Sequence, residues 1–350
     1  MLPQNMTDET RKLQFTGGST FVISLPKKWI EQNHLKKGTT IRLHEEENGL
    51  LSIIPSESKI QEKMNETLIK VKLSEKPGEI IRKIISTYLN GYNLIRVKAE
   101  NKQLLTPKQR HEIKSFSRIM LVGTEIVRDT SDELALQVLL SYPELSIKNA
   151  LRRMSIIATS MHKEVIVSLK TLDHEHAKEI INTDNEVDRF NLYVVRQLKS
   201  AIQYPRIIKD IGLQSARDCL GYRLITKSVE RTADHAVHIS EQVLSLTKPV
   251  NEDIIEKLEL MSNTAISMFE GSVEALFRQN YQLAEAIVEK TEGIIFIEKE
   301  AVECSQKTNT DELAHLRLII ESIRRTAEYA SDIAEVVLNL TIKSVLSPSI

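Results

Sequence analysis

The apolar positions fall into two patterns along the chain. From residue 146 to residue 343 they recur at spacings of three and four, as on helices that turn one face to a core. This spacing predicts a helix from 146 to about 172, a second from about 175 to 203, and a third from 206 to 246. Pro249 breaks the run. Asn251 caps a fourth helix to about 279, a fifth follows to about 308, and a sixth spans 311 to about 343. Three helices, a break and three more make two tandem three-helix bundles, 146–246 and 251–343.

Ahead of the helices the period is two. The stretch 11–15 alternates like a strand, Thr16-Gly17-Gly18-Ser19 turns the chain, and 20–25 is a second strand stopped by Pro26. Residues 27–34 predict a short helix around Trp29. Two more strands, 39–43 and 50–54, are joined through the hairpin turn Asn48-Gly49. Four short strands build a poor core alone, so this β unit, 9–56, is expected to dimerise. After a polar linker at 59–64, a middle unit over 66–140 mixes strands and helices. Strands are expected at 67–73, 94–98 and 125–128. One helix, 79–90, follows Pro77-Gly78, and another runs from Pro107 to about 122 behind the cap Thr106. The fold class is therefore multidomain and mainly α. The middle α+β unit carries no catalytic constellation, and a spacer or dimerisation role suits it better than effector binding.

Charge changes the picture only locally. The net charge is -1, so nothing global points to nucleic acid or a membrane surface. Residues 9–43, however, carry seven cations (Arg11, Lys12, Lys27, Lys28, Lys36, Lys37, Arg42) against two acids (Glu9, Glu31), and seven minus two leaves a surplus of five that doubles in a dimer. That surface reads either as a phosphate-contacting face or as a solvated face of a dimerisation module. The two cysteines, Cys219 and Cys304, share no metal-ligand spacing and fit reduced thiols of a cytosolic protein. No apolar run approaches the ~18–20 residues of a membrane span, and residues 1–20 lack an apolar leader. A cytoplasmic protein without membrane insertion is expected.

The helical half carries one segment twice. Val229-Glu230-Arg231-Thr232-Ala233-Asp234-His235-Ala236 is echoed by Ile323-Arg324-Arg325-Thr326-Ala327-Glu328-Tyr329-Ala330. Glu230 and Asp234 stand four apart on one helical face, as Asp184 and Asp188 do on the preceding helix. Opposed across a helix pair, these acids need a cation or protons to neutralise them. An all-oxygen set suits Fe, Mn, Mg or Ca better than Zn, with Asn185, Glu186 and His235 as further contacts. The bland alternative is two solvated pairs with Arg189 and Arg231 as counter-ions. In the second set the pattern has decayed. Aligning Ala177 with Ala284 puts Thr291 opposite Asp184 and Ile295 opposite Asp188, Arg324 replaces Glu230, and only Glu328 keeps its acid. Nothing resembles a nucleophile elbow, a Gly-rich phosphate loop or a dinucleotide fingerprint. Glu312-Leu313-Ala314-His315 lacks the mate that a di-iron bundle needs, so no enzyme is expected.

Two resemblances sharpen these readings. The order strand, Gly17-Gly18 turn, strand ending in Ser24-Leu25-Pro26, short helix, Lys37-Gly38 turn and hairpin is similar to the AbrB/SpoVT swapped-hairpin domain. That resemblance implies a barrel interleaved from two chains and bound to double-stranded DNA, with Arg11, Lys12, Thr16, Ser19, Lys27 and Lys28 as its contacts. The tandem bundles, with Asp184-Asn185-Glu186-Val187-Asp188 on one helix and the Glu230–Ala236 segment on the next, resemble the PhoU family of phosphate-uptake regulators. This implies a metal site at Asp184, Asp188, Glu230 and Asp234, in the first bundle alone. Taken whole, the chain resembles the archaeal type of PhoU protein. The function implied is a homodimeric, DNA-binding transcriptional regulator of phosphate uptake whose bundles sense through metal or a protein partner. The alternative is an adaptor acting on a phosphate transporter or sensor kinase, with the hairpin unit only dimerising.

Overall fold

The structure, a computed structural model, describes residues 9–45, 49–55, 65–139, 145–204, 207–306 and 310–347. Asn48 of the expected hairpin turn, the linker at 59–64, Arg206 and residue 308 lie outside these. The chain separates after residue 64 into two units.

In the first unit, β1 (Gln14–Thr16) and β2 (Thr20–Val22) form a hairpin, α1 (Lys27–Gln32) follows, and β3 (Ile41–Glu45) pairs with β4 (Leu51–Pro55). Both pairs are antiparallel, with Phe15 opposite Phe21 and Leu43 opposite Ile53. Gly17 and Gly18 take φ of 64° and 81° in the first turn, a conformation that a side chain would strain. The first ladder begins at Gln14 rather than at residue 11, because alternation marks strand character without supplying a partner. No described residue of this unit is buried. Phe15 is 59%, Phe21 68%, Leu43 59% and Leu51 60% exposed, so the strands carry apolar side chains with no core to hold them.

The second unit opens with a four-stranded sheet, β5 (Glu66–Val71), β6 (Leu94–Ala99), β7 (Thr124–Asp129) and β8 (Glu133–Val138), in the order β5-β6-β8-β7. β5 and β6 are parallel across the helix α2 (Pro77–Leu89), and the other pairings are antiparallel. α3 (Pro107–Met120) starts at a capping box in which Thr106 and Gln109 exchange side-chain bonds with each other's backbone N–H. The sequence pattern missed β8. It is an inner strand with burial on almost every residue, so the alternation that marks a half-buried strand is absent. Ile69, Val71, Ile95, Val97, Leu134 and Leu136 face α2 and α3 and form one core with them. The opposite sheet face carries charge, and Arg96 grips Glu133 at 2.6 and 3.0 Å while reaching Glu66 at 3.0 Å.

Six long helices follow: α4 (Ile147–Thr171), α5 (His174–Gln203), α6 (Asp218–Ser245), α7 (Glu252–Arg278), α8 (Tyr281–Ser305) and α9 (Thr310–Thr341). α6 begins at Asp218, not at residue 206. The chain turns at Gly212 with φ of 84°, and the Asp218 carboxylate accepts from the N–H of Gln214 and Ser215 and from the Ser215 hydroxyl. That local network starts the helix where periodicity alone ran on. The two sets of three do not keep separate cores, since Leu151, Val194 and Val229 share one apolar cluster with Leu258, Phe269 and Ile323. α6 and α9 come close enough that a Cβ on Gly221 would sit 3.1 Å from Leu340 and Val336 side chains. Arg196 of α5 ties the sheet unit to the helices. Buried, it donates to the carbonyls of Tyr88 and Tyr92 and to Asn93 Oδ1, and it stacks 4.8 Å over the Tyr88 ring. The guanidinium thus adds a second donor to the Tyr88 carbonyl, which already accepts from the Gly91 N–H, and supplies a donor to Tyr92 just beyond the end of α2.

Candidate functional site

On the first unit, Thr16 and Ser19 flank the two glycines of the β1–β2 turn, Arg11 and Lys12 precede β1, and Lys27 and Lys28 open α1 directly after Pro26. All six are exposed. Arg11 pairs with Glu9, and Lys27 reaches Glu31 at 3.7 Å. Both are surface pairs that contribute little, so a phosphate can displace either acid at small cost.

On the second unit, the helix pair α5–α6 brings the four predicted acids within electrostatic reach of one another. Burial, with Asp188, Asp234 and Glu230 alongside, pushes the Asp184 carboxyl up to about 7. Burial, with Glu230 and Asp234, pushes Asp188 up to about 6. Glu230 is also raised, by burial, against an opposing hydrogen bond from Lys227. Asp184 Oδ1 is buried without a hydrogen-bond partner. The Lys227 ammonium is ion-paired with Glu230, and the Arg231 charge also lowers that carboxyl to a smaller extent.

The other expected contacts turn elsewhere. Asn185 donates to the Asn182 carbonyl at 2.9 Å, Glu186 meets Arg189 at 3.4 Å, and His235 packs 5.7 Å from the Tyr329 ring of α9. Arg231 leans over that same ring at 5.8 Å. A donor set for a hard cation is thus present in kind, with an orphaned carboxylate oxygen in it. Even so, among the described residues no three His, Cys, Asp or Glu side chains converge closely enough to hold a metal ion as they stand.

The second helix set answers the same problem internally. Arg324 pairs with Glu328, with Glu321 at 2.6 Å and with Glu298 at 3.4 Å, while Arg325 meets Glu328 at 2.6 Å. Where the first copy has Lys227 and Glu230, the second has Glu321 and Arg324, the same pair with its charges exchanged. Two arginines thus face three acids, and burial still raises the Glu298 carboxyl.

Sequence reasoning missed two residues here. Lys227 is one, although its position three before Glu230 and the matching Glu321–Arg324 pair were visible. The other is His162 of α4. Its Nε2 lies 2.7 Å from the Thr232 carbonyl and 3.2 Å from the Thr326 hydroxyl, so it bridges both copies of the repeated segment. The shared threonine was legible, but nothing in the chain pointed to its partner seventy residues upstream of Thr232.

Comparison with known proteins adds two domain matches. The PhoU domain matches residues 151–243 and 258–337, and the domain described as antidote-toxin recognition MazE, bacterial antitoxin, matches residues 14–61. No curated protein matches. Solved structures similar to part of the chain include two PhoU proteins. The phosphate transport system regulatory protein PhoU from Streptococcus pneumoniae is 18% identical with a TM-score of 0.49, over 58% of this chain and 96% of that one. PhoU from Pseudomonas aeruginosa is 15% identical with a TM-score of 0.49, over 56% of this chain and 96% of that one. None of these matches marks an archaeal type.

Proposed function

This chain is a PhoU-domain protein with a MazE-type domain at its N-terminal end, and from that premise we propose that it regulates phosphate uptake as a dimeric DNA-binding protein of the cytoplasm. The observation that carries the reading is the first unit itself, two hairpins with open apolar side chains and a surplus of cations. A second copy covering Phe15, Phe21, Leu43 and Leu51 removes them from water, worth about 1.5–3 kcal/mol for each side chain fully buried. The doubled cations then suit a polyanion, and neutralising Z phosphates gives a salt slope of about −0.9Z. The role is regulatory rather than catalytic, and the helices supply the input.

The test is duplex binding by the full-length chain between 50 and 200 mM salt, the range over which several phosphate contacts cost about 10³-fold or more. Binding is expected to weaken steeply with salt, and Lys27→Glu with Lys28→Glu to lower both affinity and slope. Binding that ignores salt, or that the double variant leaves intact, contradicts the reading. Absent DNA binding together with recovery of a phosphate-transport component by pull-down favours an adaptor instead.

A second reading concerns the input. We propose that Asp184, Asp188, Glu230 and Asp234 accept a hard cation of the Fe, Mn, Mg or Ca kind, supported by the partnerless Asp184 oxygen and the raised carboxyls. Lys227 is its competitor. A thermal shift on adding each metal is expected for the native chain and not for Asp184→Asn with Asp188→Asn. Equal shifts in both, or none in the native chain, refute it.

A further inference from the structure

We propose that the free edge of β5 is an interface for a second copy of this chain, with the two β5 strands pairing antiparallel about Leu68. The sheet has two edges, and they are not alike. β7 is irregular between Ile126 and Arg128, and its Asp129 is held by Arg110 and by Lys114 at 2.8 Å, features that spoil an edge for pairing. β5 pairs with β6 over all six of its residues, has no bulge and holds no proline. Its outer side borders a groove of about 760 Å³ whose far wall is the Arg82, Lys83, Ser86 and Thr87 side of α2. Six residues of open ladder are enough for a strand to add.

The strand is complementary to itself. Ile69 and Val71 are buried toward the helices, so Glu66, Leu68 and Lys70 share the helix-free face. An antiparallel pair centred on Leu68 sets Leu68 against its own twin, Glu66 against Lys70 of the copy, and Lys70 against Glu66 of the copy. Leu68, 45% exposed in the single chain, is then covered by the same residue across a twofold axis. Moving the centre to Thr67 sets Leu68 against Glu66, and moving it to Ile69 sets Leu68 against Lys70. Of these registers, the one centred on Leu68 sets leucine on leucine and places Lys70 beside a Glu66 carboxylate that Arg96 also holds at 3.0 Å, and its natural partner is this strand.

The tether points to the same occupant. Ten residues separate Pro55 at the end of β4 from Glu66 at the start of β5, so a dimer held by the first unit keeps two β5 strands at high effective concentration. To that extent the inference rests on the dimer proposed above.

Disulfide trapping in the full-length chain tests it, with the native chain and its Cys219 and Cys304 as background. Residues directly opposite in an antiparallel pair have Cα atoms about 4.5–5.5 Å apart, within disulfide reach. Under mild oxidation, Leu68→Cys is expected to double the apparent mass on a non-reducing gel, reversibly with reductant. Lys70→Cys, roughly 13 Å along the strand from its twin, is expected to stay single. Glu66→Cys and Lys70→Cys chains, co-expressed, are expected to link to each other. Leu68→Cys no more linked than the native chain, or Lys70→Cys linking alone as well as Leu68→Cys, overturns the register and with it the interface. Light scattering separates the two claims. A dimeric mass without the Leu68→Cys link overturns this interface and leaves the first-unit dimer standing, whereas a monomeric mass overturns both.

Discussion

His162 on α4 and Phe269 on α7 occupy corresponding places in the two helix sets, by the same offset that aligns Ala177 with Ala284 (269 − 162 = 284 − 177). Both are buried, but only the histidine has a proton to gain. Burial holds its imidazole down to about 4, whereas an unfolded chain takes the proton near 6.5. The folded value is the lower one, so its contribution is complete above about pH 6.5 and is lost as pH falls toward about 4. Denaturant melts across that window are expected to show a loss of about 2–3 kcal/mol from this residue. His162→Phe should flatten the slope, and an unchanged slope contradicts the assignment. Asp184 runs the other way. Its folded value, about 7, lies above the unfolded one near 3.9, so stability falls as pH rises from about 4 through about 7. Asp184→Asn is expected to remove that decline and to stabilise the chain at pH 7.5 by about 1 kcal/mol, a figure discounted for partial exposure. A destabilised variant in metal-free buffer contradicts it. The four acids were legible because i,i+4 spacing fixes a shared face. Of the two arginines expected as counter-ions, Arg189 turns to Glu186, while Arg231 acts on Glu230 through its charge and ranks behind Lys227, because adjacent helical residues point apart. Lys227, three residues from Glu230, shares its face.

Most elements were legible from period alone, and α4, α5 and α7 end within a few residues of where the apolar stripe ends. The exceptions have local causes. β8 is buried almost throughout and carries no alternation, and α6 starts where Asp218 gathers three hydrogen bonds rather than where the apolar positions begin. Arg196 was not legible at all, since its partners lie more than a hundred residues away and are mostly backbone carbonyls. It is nevertheless the tie between sheet and helices. Arg196→Ala removes the guanidinium from the Tyr92 carbonyl and Asn93 Oδ1, leaves the Tyr88 carbonyl with the Gly91 N–H alone, and is expected to cost about 2–4 kcal/mol. Hydrogen exchange should quicken in α2 before α4 or α9. Uniform acceleration, or none, argues against this tie.

At the scale of the molecule, the helical repeat makes one fused core and two unequal ends. The second set ion-pairs its acids directly with Arg324 and Arg325, although Glu298 stays raised, while the first leaves Asp184 and Asp188 raised without an ion-paired arginine. Duplication was visible in the sequence as an echoed segment, but the fusion was not, because which helices touch depends on tertiary packing. The first unit was legible as hairpins whose apolar residues lack a core of their own. If these parts make a regulator, its position on DNA should depend on phosphate. Genome-wide footprinting at high and low phosphate tests this most directly. Discrete sites upstream of phosphate-uptake genes are expected, with occupancy that changes with phosphate and is lost with Lys27→Glu and Lys28→Glu. No discrete sites, or sites indifferent to phosphate, contradict a DNA-binding regulator of phosphate uptake.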